Sequence, residues 1–226
     1  MGHPLDNPVW AALNSAHARF ARRVGHVARY PAEVAPFVAV GSPDTENVDT
    51  GLASIVDVGE AMLFVGPAPP LSREWQVEPV VHIAQMICAQ RQAPIEGPSI
   101  IKLHDEHTAD VLDLTARVYP HYFRPRTTEL GRYFGIYDGA KLAAMAGERM
   151  RFDGHTELSA ICTDPAYLGR GYAQRLVAML GNDILDNGLV PFLHVSHENA
   201  RAKRLYEHMG FRFRADIPLT AVTRLI

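Results

Sequence analysis

Residues 167–176, YLGRGYAQRL, set two glycines around an arginine at the entrance to a run of helical character. A strand-like stretch, ELSAICT (157–163), and a turn, TDP (163–165), come just before. Backbone N–H groups at a helix entrance lack intrahelical partners and carry partial positive charge, so a phosphate is a natural occupant. Glycine lets that anion approach the backbone with no β-carbon in the way. A nucleoside-triphosphate loop would continue Gly-Lys-Ser/Thr, whereas Gly171 is followed by Tyr172. A dinucleotide fingerprint fits poorly, because Gln174 stands at its third glycine and the loop follows several meander strands.

Other groups with chemical potential lie nearby. Asn199 and Tyr206 are seven residues apart, two turns of one helix, and therefore share a face. Asn199 could equally cap that helix, in competition with Ser196. Cys162 invites a nucleophilic reading, but a thiol inside a buried strand is more simply a packing group. His194 and His197 are three apart on an expected strand and so point to opposite faces, which argues against a metal. The aromatic, arginine-bearing loop YPHYFRPRTTELG (119–131) offers Tyr122, Phe123 and Arg126 as walls of an acceptor site, arginine being suited to a carboxylate.

The elements that must hold these groups can be read from pattern. The chain has 226 residues, 47 % hydrophobic and 21 % charged, with a formal charge of −3. That is the profile of a globular protein with a sizeable core and without the basic excess of a nucleic-acid binder. Two cysteines supply no disulfide framework, and neither a signal pattern nor a membrane-length apolar run is evident. A reduced, cytoplasmic setting is expected. Residues 7–23 read as a helix, with strands in 34–40 and 61–66, while 78–89 is ambiguous between strand and helix. The stretch QAPIEGPS (92–99) marks a boundary, giving regions 1–97 and 98–226. Beyond it come a strand (100–103), then a helix over 105–118 capped by Asp105. A hairpin around Asp138-Gly139 follows, and then the strand 156–163. A helix ended by Gly188, the strand 190–196, a helix ended by Gly210 and a last strand from Phe211 complete the region. The fold class is α/β with a mixed sheet, since meander strands precede a late parallel crossover.

From Glu157 to Gly210 the sequence resembles the GNAT superfamily of acetyl-CoA-dependent N-acetyltransferases. LGRGYA supplies the glycine and alanine of its Gln/Arg-x-x-Gly-x-Gly/Ala loop, with Leu168 at the usual Gln/Arg position. NARAKRLYEHMGF matches the second signature, Asn-x-x-Ala-x-x-Leu-Tyr-Glu-x-x-Gly-Phe. The resemblance implies a GNAT-like fold for 98–226, and by length and element order 1–97 is read as a degenerate copy of such a unit. It implies acetyl-CoA as cosubstrate and an amine-bearing acceptor. Pyrophosphate would bind at Leu168, Gly169, Arg170, Gly171, Tyr172, Ala173 and Gln174. The pantetheine arm would run along Ile161, Cys162 and Thr163 and meet Asn199. Tyr206 would be the acid for the departing thiolate. Glu157 stands fourteen residues before Gly171, the spacing of the general base in the histone-acetylating branch. Acetyl transfer to a primary amine is the leading expectation. A non-catalytic acyl-CoA sensor is the alternative, and it would need neither Glu157 nor Tyr206.

Overall fold

A computed structural model describes residues 2–120 and 122–226. Its first part contains α1 (Pro8–Leu13), β1 (Arg22–Val24), β2 (Val27–Arg29), β3 (Phe37–Val40) and α2 (Val48–Ala53). β4 (Ala61–Val65), β5 (Trp75–Val77) and β6 (Val81–Ile87) follow. Then come β7 (Ile101–Lys102), α3 (Thr108–Val118), β8 (Tyr133–Asp138), β9 (Lys141–Phe152) and β10 (His155–Thr163). The chain continues with α4 (Tyr172–Asp186), β11 (Val190–Ser196), α5 (Ala200–His208) and β12 (Arg212–Arg224).

All the strands join one mixed sheet in the order β1-β2-β3-β4-β12-β6-β11-β10-β9-β8-β7, with β5 also on β12. Two stretches run through the same directions: β1-β2-β3 is antiparallel before a parallel step to β4, and β8-β9-β10 is antiparallel before a parallel step to β11. The strands that follow are exchanged. β6 pairs with β11 and β12 pairs with β4, and the two also pair with each other. A cut at residue 98 therefore separates β6 from the two strands that flank it. The ambiguity over 78–89 is resolved as strand, buried at Ala84, Gln85 and Met86.

One face of the sheet packs on α4 and α5 through Leu176, Leu180, Ile184 and Met209. α1 and the N-terminal residues Leu5, Val9 and Leu13 cover another part, with Phe152 and Phe192 beneath them. The helix expected over 7–23 stops at Leu13. Asn14 and Ser15 bond back to the carbonyls of Trp10 and Ala11, an alternative to continuing the helix. Asp105 does not cap a helix. It opens a 3-10 turn to His107, and α3 begins at Thr108. No helix among the described residues is long and apolar enough to cross a membrane.

Candidate functional site

β10 and β11 pair in parallel at only three positions, the last being Glu157 with Phe192, although both strands run on. Their separation is assisted by a break in register between Ser159 and Cys162 against β9, where Ala160 adopts a left-handed φ of 49°. A non-glycine residue there costs roughly 1 kcal/mol or more, so surrounding structure must hold it. Two hollows open at this splay.

The first is a groove of about 460 Å³ at the α4 entrance. Gly169 and Gly171 are both left-handed, at φ 82° and 77°, and Gly171 is the N-cap of α4. A β-carbon at Gly169 would meet nothing within 4 Å, and one at Gly171 only the tip of Gln174, so the space above the loop is open. Leu168, Gly169 and residues 171–174 line the groove, together with Ile161, Thr163 and Asn199. Arg170 does not line it: its guanidinium lies 4.7 Å from the Tyr167 ring centre and 4.0 Å from Asp138. Asn199 accepts from the Ala202 N–H with its side-chain carbonyl, so it caps α5 and lines the groove together.

The second hollow, about 270 Å³, lies deeper. Val118, Ile161, Asn199, Ala202 and Tyr206 belong to both, and so mark the passage between them. Cys162 lines this inner cavity, with burial pushing its thiol up to about 12, which is a protonated and inert state at neutral pH. Burial, with Cys162 and Tyr119 as neighbours, also raises the Tyr206 phenol, which stays protonated. Tyr122 lines the cavity and its ring is 5.3 Å from that of Tyr119. Phe123 and Arg126 lie elsewhere. Phe123 packs edge-on against Tyr133 in the core, and Arg126 pairs with Glu33 and Glu129 on the surface.

The cavity floor is polar, and most of it was not legible from motif. Glu157 is fully buried and held by Arg149 through two bonds of 2.8 and 2.7 Å, and its Oε1 also meets His194 Nδ1 at 2.7 Å. Burial alone would raise its pKa. Arg149 and His194 overcome that and hold it down at about 2. Arg149 reaches on to the Tyr119 hydroxyl, and His194 to Gln85. His197, by contrast, is partly exposed beside Asp216. The signal for His194 and Gln85 is a polar residue between apolar neighbours in a strand, which needs partners when buried, whereas Arg149 stands among Glu148 and Arg151 and gives no such signal.

Residues 133–217 match the model of the family described as FR47-like protein. The chain is 28 % identical over 201 residues to an uncharacterized protein of Mycobacterium leprae, aligning 76 % of this chain but only 55 % of that relative. A GCN5-related N-acetyltransferase of Kribbella flavida shares the fold at 15 % identity, covering 97 % of this chain and 95 % of its own, TM-score 0.66. A crystal structure from Novosphingobium aromaticivorans, assigned to acetyltransferases of the GNAT family, is 33 % identical with 99 % of each chain covered and a TM-score of 0.90. Full-length similarity at that level, together with the loop and the splayed strands, places the chain: it belongs to the GNAT family.

Proposed function

We propose that this protein transfers an acetyl group from acetyl-CoA to a primary amine by direct attack on the thioester. The observation that carries the reading is the meeting of the glycine-loop groove and the inner cavity at Tyr206. The donor fits the groove: left-handed glycines with open space above them, at a helix N-terminus, suit a pyrophosphate. Acetyl-CoA would supply an activated acyl group and a thiolate leaving group. Leu168–Gln174 would hold its phosphates, and the backbone of Ile161–Thr163 its arm. Tyr206, at the junction, would give its hydroxyl proton to the departing sulfur.

Glu157 is poorly matched to direct removal of a proton from an ammonium, being clamped by Arg149 and titrating near 2. It serves instead to keep the Arg149 guanidinium and the His194 ring in place on the cavity floor. The amine would then react from its neutral form, losing its further proton to water. The clamping of Glu157 is also what favours the second reading, an acyl-CoA sensor without turnover.

The inner cavity narrows the acceptor. Phe37, Val65, Ile83, Val118 and Leu219 line it, and its one carboxylate is neutralised by Arg149. An amine on a compact apolar body suits these walls, whereas a polyamine or aminoglycoside would bring extra charge with no carboxylate to receive it. The test is a panel of amines with acetyl-CoA, followed by free-thiol release. Highest turnover with small alkyl or arylalkyl monoamines is expected. Preference for polycations would overturn the acceptor class. Saturable acetyl-CoA binding without thiol release from any amine would favour the sensor.

A further inference from the structure

The buried Glu157 belongs to a longer polar chain on one face of the sheet. It crosses five neighbouring strands: Arg149 on β9, Glu157 on β10, His194 on β11, Gln85 on β6 and Arg214 on β12. Asp6 ends it by pairing with Arg214 at 2.6 Å. Gln85 is completely buried and its whole amide is engaged. The Oε1 atom accepts from Arg214 at 2.8 Å, and Nε2 donates to the Leu5 carbonyl at 2.9 Å. Those two partners fix which way the amide points, because a guanidinium only donates and a carbonyl only accepts. The remaining N–H of Gln85 must therefore face His194 Nε2, 3.0 Å away. That nitrogen can only accept, so the proton of a neutral ring sits on Nδ1, where Glu157 Oε1 receives it.

We infer that Gln85 is a positioning residue of the acceptor cavity: it locks His194 as the neutral Nδ1–H tautomer and so holds Glu157 and Arg149 on the cavity floor. The groups around the ring are consistent on every side. Glu157 and, behind it, Arg149 and Tyr119 lie towards β9 and α3; Gln85, Arg214 and Asp6 lie towards β12 and the N-terminus; the Phe192 ring is 5.7 Å away edge-on. The lock keeps the floor free of net charge, with Arg149 and Glu157 balanced and His194 neutral. It also gives residues 1–97 a part in the site, through Gln85 and the Leu5 carbonyl. The consequence for turnover rests on the acyl-transfer reading above; the tautomer does not.

The experiment uses the full chain labelled with ¹⁵N-histidine. Long-range ¹H–¹⁵N correlation at pH 7 reports the protonation of each ring nitrogen, and the His194 signals are assigned from their loss in His194→Gln. One protonated Nδ1 and one bare Nε2 are expected. Gln85→Glu is nearly isosteric and turns the donor facing Nε2 into an acceptor, so both nitrogens should then carry protons. The proton gained by the ring is offset by the new carboxylate behind it, so the cavity side gains a cation while the net charge is unchanged. The KM for the best monoamine should rise a few-fold, while acetyl-CoA affinity holds. Gln85→Leu should leave the ring without a fixed tautomer. An Nε2–H tautomer or an imidazolium in the wild type would overturn the lock, as would an unchanged pattern in Gln85→Glu. A shifted pattern with an unchanged amine KM would overturn its role in the site. If the pattern behaves as expected but no amine is acetylated by the wild type, the lock stands and the acyl-transfer reading fails.

Discussion

The groove and the inner cavity share five lining residues yet are built in different ways. The groove is made mostly of two short stretches of sequence, 161–174 from the end of β10 through the loop to the α4 entrance and 199–206 along α5, with Val118 of α3 beside them. Its chemistry is mainly that of backbone N–H groups, so its demand on sequence is for glycines at left-handed positions. The inner cavity gathers side chains from β3, β4, β6, β9, β10, β11 and β12 and from the end of α3. Its chemistry is a set of buried charges and amides that hold one another. A backbone site tolerates changes in side chains but not in local conformation. A side-chain site behaves in the opposite way.

The largest effect should follow from breaking the backbone site at its centre. Gly171→Asp would put a β-carbon onto φ 77° and set a carboxylate where phosphate is proposed to bind. Calorimetry should detect no acetyl-CoA binding while circular dichroism remains that of the folded protein. Unchanged affinity would remove the loop from the site.

Breaking the side-chain site should instead cost stability. Glu157→Leu leaves Arg149 buried without its partner, a loss of about 3–5 kcal/mol in denaturant unfolding. Adding Arg149→Met to the same chain should restore much of that. A single variant as stable as wild type would mean that the pair is not closed in solution.

At the junction, Tyr206→Phe keeps the ring and removes the proposed acid. A fall in kcat of roughly 10- to 100-fold is expected, the low end of general acid catalysis because a thiolate already leaves fairly well, with little change in acetyl-CoA affinity. Wild-type turnover in this variant would reduce Tyr206 to a packing role.

A slope of stability with pH should arise outside both hollows. His17 is buried against the Tyr30 hydroxyl, and burial lowers it from 6.5 to about 4. Above 6.5 the ring is neutral in both states. Between 6.5 and 4 the unfolded chain takes up a proton that the folded chain refuses, so stability should fall as pH falls through that window. Urea midpoints from pH 8 to 4 would show it, and a flat profile there would contradict it.

The difference in construction explains what the sequence revealed. The loop 168–174, the Asn199–Tyr206 spacing and the strand 156–163 are local patterns. The loop, apart from Arg170, lines the groove, Asn199 and Tyr206 line its passage, and the strand lines the inner cavity and reaches the groove at Ile161 and Thr163. Arg126 and Phe123 show only their residue types in the sequence, and their partners, Glu33 and Tyr133, are set by tertiary packing. Gln85 and His194 become neighbours only because β6 lies against β11, a pairing that no periodicity encodes. The N-terminal helix ends earlier than its pattern predicts for a related reason. Its apolar spacing persists past Leu13, but Asn14 and Ser15 offer the backbone a different set of bonds.

The exchange of β6 and β12 has a consequence in time. During synthesis β6 emerges first, and residues 88–211 must follow before both of its neighbours exist. Until then its two edges carry unpaired N–H and C=O groups beside the apolar Ala84 and Met86. Pairings this distant are slow to form, because the intervening loop must close before any contact rewards it. Refolding from denaturant should therefore pass through a collapsed species with α4 and α5 in place and the sheet centre open, vulnerable to self-association as protein concentration rises. The inner cavity, whose walls include Ile83 and Leu219 from the two exchanged strands, should then be the last part of the molecule to acquire its shape.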